Sequence, residues 1–94
     1  MDPNAPILMS AENPTGWKLD ELLERLQNEI RLKSAKIEAD PRMQAKCVRI
    51  NNDQIINLLG LAASTQRHSM LILESIGPNQ GPTGTPRIGV GSKT

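Results

Sequence analysis

The chain has 94 residues, a formal net charge of +1, one cysteine, one tryptophan, and no phenylalanine or tyrosine. That length allows one small domain. Near-neutral charge gives no global field toward nucleic acid or membrane, and a single cysteine excludes an internal disulfide framework and a cysteine-rich zinc site. A core must come from Leu, Ile, Val, Met and Ala, the filling of helix-on-helix packing, and the missing rings nearly rule out stacking on bases.

Residues 1–16 read as an extended arm. Pro3, Pro6 and Pro14 each disfavour helix at the residue before them. Pro6-Ile7-Leu8-Met9 is a short apolar patch inside it. Met1-Asp2-Pro3-Asn4 has no basic n-region and no apolar h-region, so the expectation is a protein not secreted by a signal peptide, soluble and intracellular or incorporated in a particle.

Residues 17–39 read as the first helix. Leu19, Leu23, Leu26, Ile30 and Ile37 form an a/d seam, interrupted where Lys33 takes a core position. Leu22 widens the stripe, and charges of both signs fill the other faces. Glu21 with Arg25 and Glu29 with Lys33 stand in the favourable i,i+4 order. Asn13 to Gly16 supply cap candidates. Trp17, at the start, is either a core plug or an interface anchor, the residue type most enriched at binding hot spots.

Asp40-Pro41 breaks the helix, with Asp40 suited to cap a new one and Pro41 to its first position. Residues 41–50 can form a short helix, and Asn51 with Gln54 has capping-box spacing. One helix over 41–76 would be about 54 Å long against about 35 Å for the first. Those lengths favour a break near Asn51, which would match helix 53–76 to helix 17–39. Ile55, Leu59, Ala62, Leu73 and Ile76 make one apolar line and Ile56, Ala63 and Met70 another, wider than one helix can cover. The run Ile55–Ser64 is too short to span a bilayer, which needs about 20 residues. Gly77-Pro78 ends the helix, with Gly77 expected in the left-handed conformation. Residues 77–94 form a Gly/Pro-rich tail whose apolar anchors are Ile88 and Val90.

The fold expected is all-α: two long antiparallel helices, with or without a short helix between them, flanked by extended Pro/Gly-rich arms. A core of that size without disulfides or metal is thin, and oligomerisation is the remaining source of stability.

No catalytic signature stands out. His68 lacks ligand-type neighbours within a turn. Cys47 has no CxxC partner and reads as a small apolar helix residue. Ser69 beside His68 is no triad, because adjacent helical residues point apart. The glycines of 77–91 lack the phosphate-loop pattern. No cofactor is implied. The stretch around the break carries six cations, Arg31, Lys33, Lys36, Arg42, Lys46 and Arg49, against two acids, Glu38 and Asp40. Lys36, Arg42, Lys46 and Arg49 are therefore phosphate-contact candidates.

The function expected is that of a non-enzymatic structural or interaction protein. It would be a small helical subunit of a larger assembly, such as an accessory protein of a viral or phage particle, with its arms draped on neighbours. Trp17, Leu19, Leu23, Leu26, Ile30, Ile56, Met70 and Leu73 are its expected interface residues. The alternative is a helical regulator that contacts nucleic acid or an enzyme through residues 31–49. Protein partners are expected and a membrane is not.

Overall fold

The computed structural model describes residues 3–79, 81, 83–85 and 87–89. Two helices, α1 (Leu19–Ile37) and α2 (Met43–Glu74), pack against each other, and no strand forms among the described residues. With the loop and tail, the chain extends over 54 × 33 × 16 Å.

α1 opens with Asp20 and Glu21 in its first turn and has Lys36 in its last, each sign matched to the helix dipole. Its N-cap is Lys18, with no side-chain cap bond, so the expected cap from residues 13–16 does not form. Asn13 serves the preceding segment instead. Its Nδ2 donates to the Pro6 and Leu8 carbonyls at 3.1 and 3.0 Å. Met9 N donates to Trp17 O at 2.8 Å and Trp17 N to Ile7 O at 3.0 Å. Residues 7–17 are thus a closed loop and not the extended arm expected. Gly16 is required there, since a Cβ would meet Ile7 O and Leu8 C at 2.7 Å.

Helix α2 begins later than the Asp40-Pro41 pair suggested, with Arg42 as its N-cap in extended conformation. Asp40 stabilises the approach: its Oδ1 accepts from Arg42 N at 2.9 Å, and its carboxylate takes the Arg42 guanidinium. The break expected at Asn51 is absent, and α2 runs unbroken through 32 residues. That stretch holds no Pro, and its one glycine, Gly60, stays helical. The adjacent Asn52 spends its amide across the hairpin, donating to Ser34 Oγ at 2.8 Å, so it does not compete for local backbone. At the far end, Gly77 is not left-handed. The helix tapers through bonds from Ile76 N and Gly77 N to Leu73 O, and Pro78 prevents another turn. In the tail, Gly81 and Gly89 have positive φ. Val90 and 91–94 lie outside the described residues, as do 80, 82 and 86.

The least exposed positions of α2 are Ala45, Arg49, Asn52, Ile56, Leu59, Ala63, Gln66, Met70 and Leu73, alternating at four and three. Those of α1 include Asp20, Leu23, Gln27, Ile30, Ser34 and Ile37. These are two heptad seams meeting in an antiparallel pair. The seam is partly polar: Gln27 Nε2 donates to the Ile56 carbonyl at 2.8 Å. Leu26, expected in the seam, sits beside it at 38% exposure, and Gln27 and Ser34 hold the places assigned to Leu26 and Lys33. Neither expected ion pair, Glu21–Arg25 or Glu29–Lys33, forms; Arg25 turns to Glu29 at 3.7 Å.

Only Ala63 is buried among the described residues. A compact monomer of 10.3 kDa exposes about 5,400 Å² and has a radius of gyration of about 12 Å. This chain exposes 7473 Å² and has a radius of 17.8 Å.

Candidate protein-interaction surface

The hairpin has two unlike faces, and ion pairs fix which is which. Arg67 of α2 reaches Asp20 at 3.6 Å and pairs closely with Glu24. Along α2, Lys46, Asp53, Arg67 and Glu74 recur at seven or fourteen residues and form a line on that side, with Arg49 one turn away. α1 contributes Glu24, Arg31 and Glu38 to the same side. A cavity of about 270 Å³ near the helix connection is lined by Arg31, Ser34, Glu38, Arg49, Asp53 and Ile56, the same charged face.

The opposite face carries no charge from α2. Val48, Asn51, Ile55, Leu58, Ala62, Thr65, Ser69 and Ile72, continued by Ile76 in the next turn, alternate at three and four residues. This is a second complete heptad seam, displaced from the one that meets α1. All nine are exposed; the five large apolar side chains among them are 43–64% accessible. The flanking Cys47, Gln54, Leu61, His68 and Ser75 are uncharged. Leu19, Leu22 and Leu26 of α1 lie on the same side, away from Arg67. Isolated exposed Leu or Ile is ordinary on protein surfaces; a contiguous charge-free stripe about 36 Å long is not.

The expected interface residues divide between two roles. Leu23, Ile30, Ile56, Met70 and Leu73 are half-buried between the two helices. Leu19 and Leu26 border the apolar face. Trp17 remains 43% exposed, lining a cavity of about 460 Å³ at the open end of the hairpin with Leu8, Met9, Leu19, Gln66 and Met70. The exposed seam of Val48, Leu58 and Ile72 is what sequence reasoning missed. Its signal is present as a second 3-4 spacing in the same helix, free of charge.

Two of the four phosphate-contact candidates sit among carboxylates. Arg42 is held by Asp40, with 2.5 Å between Nη2 and Oδ2. That bond keeps the Asp40 carboxyl below its ordinary range and raises the Arg42 guanidinium. Arg49 is half-buried on the charged side, its Nε without a hydrogen-bond partner, and Glu38 and Asp53 line the same cavity. Lys36 and Lys46 are exposed. Cys47 and His68, both exposed, are 21 residues apart on one helix, roughly 31 Å, too far to act together within a chain. Among the described residues no three His, Cys, Asp or Glu side chains come together as metal ligands, and no helix is long and apolar enough to cross a membrane.

No protein-family model, curated protein or solved structure matches this chain.

Proposed function

We propose that the chain is a non-enzymatic interaction subunit whose hairpin presents one face of α2 and the adjoining leucines of α1 to a protein partner in a larger assembly. The carrying observation is the second heptad seam of α2, charge-free and exposed along its length, in a chain with a single buried residue among those described. Heptad seams exist to meet other helices. A hairpin in which Ala63 alone is buried among the described residues leaves its stability to whatever covers that face. Leu8, Met9, Trp17 and Asn79 come together at the open end, which supports a contact with a neighbour there. A nucleic-acid reading has weaker support, because Arg42 and Arg49 already sit among carboxylates.

The test is a pair of charged substitutions, Leu58→Asp and Ile72→Asp, at side chains more than half exposed. In a lone hairpin they would leave mass and melting temperature nearly unchanged. The interaction reading expects the wild type to associate and the double variant to lose both association and much of its helicity. A wild type that is monomeric, folded and unaffected by the two substitutions would overturn it.

A further inference from the structure

Resting on that reading, we infer that the occupant of the exposed seam is a second copy of this chain, paired α2 to α2 about a two-fold axis beside Ala62. Three observations select a copy over a different protein.

The first is area. The chain exposes about 2,100 Å² more than a compact monomer of its mass. Standard interfaces cover about 800 Å² per partner, and obligate homodimers roughly 1,000–2,500 Å². Summed over hairpin, loop and tail, the excess is more than the area a standard interface takes from each partner.

The second is charge. In a two-fold interface the same patch faces itself, so a charge near the axis would meet its own like. The seam from Val48 to Ile76 has none, and neither has its outer flank at Cys47, Gln54, Leu61, His68 and Ser75. Helices that choose a different partner do so through flanking charges of complementary sign. Here every charge of α2 lies on the side toward α1's acidic and basic edge, where Arg67 is already paired within the chain.

The third is the spacing of the pattern. Ala62 is the midpoint between Val48 and Ile76, the large residues at the ends of the stripe, and it opens a run of small residues, Ala62, Thr65 and Ser69, that separates Ile55 and Leu58 from Ile72 and Ile76. Small residues at the middle let two helices approach closely while the outer Val and Ile interlock. In-register pairing, or antiparallel pairing centred on the seam, brings Ala62 against Ala62 of the other copy. The product is a four-helix assembly with the two α2 helices inside and the charged faces outside.

The test uses the full chain with its native thiol removed, Cys47→Ser, carrying either Ala62→Cys or, off the seam, Ser64→Cys. Circular dichroism under reducing conditions first checks that each variant is folded. Oxidised glutathione is then added at micromolar protein. A disulfide needs Cα atoms about 4.4–6.8 Å apart. The inference predicts a nearly complete covalent dimer for the Ala62→Cys chain and at least tenfold less for the Ser64→Cys chain. Co-expressed tagged and untagged wild-type copies supply an independent readout that needs no cysteine, and they are expected to co-purify. A self-associated protein with no disulfide at 62 would overturn the pairing at Ala62, and a tagged copy that does not retain the untagged one would overturn self-pairing, and both leave the interaction reading intact. A folded wild-type monomer would overturn both.

Discussion

Gly60 shows how one residue links the two helices. Mid-helix glycine costs about 1 kcal/mol relative to alanine, yet here its missing side chain leaves room for Gln27, whose Nε2 would lie 3.1 Å from an added Cβ. That amide donates to the carbonyl of Ile56, one turn earlier. A net hydrogen bond contributes about 0.5–1.5 kcal/mol, similar to the glycine's cost. Gly60→Ala alone is therefore expected to change stability by less than about 0.5 kcal/mol. In a Gln27→Ala background it should stabilise by about 1 kcal/mol. Urea melts of the four proteins check this, and additive effects would refute the coupling. Asp40 gives a pH signature at the same scale. Its carboxyl is lowered by the side-chain and backbone bonds from Arg42. The stabilisation is present above the unfolded carboxylate value of about 3.9 and lost as pH falls through the folded one. The melting temperature of wild type should exceed that of Asp40→Asn at pH 7, and the gap should close as pH falls from the ordinary carboxylate range through the lowered folded one. A gap that persists in acid would show that the carboxylate is not its source.

At the scale of elements, α2 is the continuous rod on which the molecule is built. If Asn51 capped a new helix, Asn51→Ala would destabilise by about 0.5–2 kcal/mol. In the unbroken helix Asn51 is an exposed interior position, and the same change should stabilise by a few tenths of a kcal/mol, read by thermal melts. The loop at 7–17 is a separate local element. Gly16→Ala should open it, because a Cβ would strike Asn13 Nδ2 and the Ile7 and Leu8 backbone. Faster proteolytic cleavage before Trp17 with unchanged helicity is the expected result, and resistance equal to wild type would contradict the close packing. Two helices and their antiparallel packing were legible in the apolar spacing of 17–39 and 53–76. Their register was not. Periodicity placed Leu26 in the seam because leucine outweighs glutamine, whereas the fold chose Gln27 and Ser34, which bond to Ile56 O and Asn52 across 29 and 18 residues. Such matches are long-range facts that one helix's pattern does not contain. Asn51 misled for a related reason: the local capping preference of Asn-Asn lost to a cross-hairpin bond made by Asn52. The charge-free second seam was readable as spacing, but its exposure followed only once α1 had taken the other face.

The whole molecule has a charged side and a side on which α2 presents a charge-free stripe, and that asymmetry is the basis of the proposed role. Ala63, the one buried residue among those described, sits in the α2 seam that meets α1. Ala63→Leu should force them apart and cost about 1–3 kcal/mol by chemical denaturation. The larger question is what covers Ile55, Leu58 and Ile72. Absolute mass by light scattering behind a sizing column, at micromolar concentrations, addresses it most directly. The account predicts a discrete species of about twice the 10.3 kDa chain mass that keeps its helicity on dilution to the low micromolar range. A single 10.3 kDa species that is fully helical and melts cooperatively would contradict it, since the apolar face would then be stable in water uncovered.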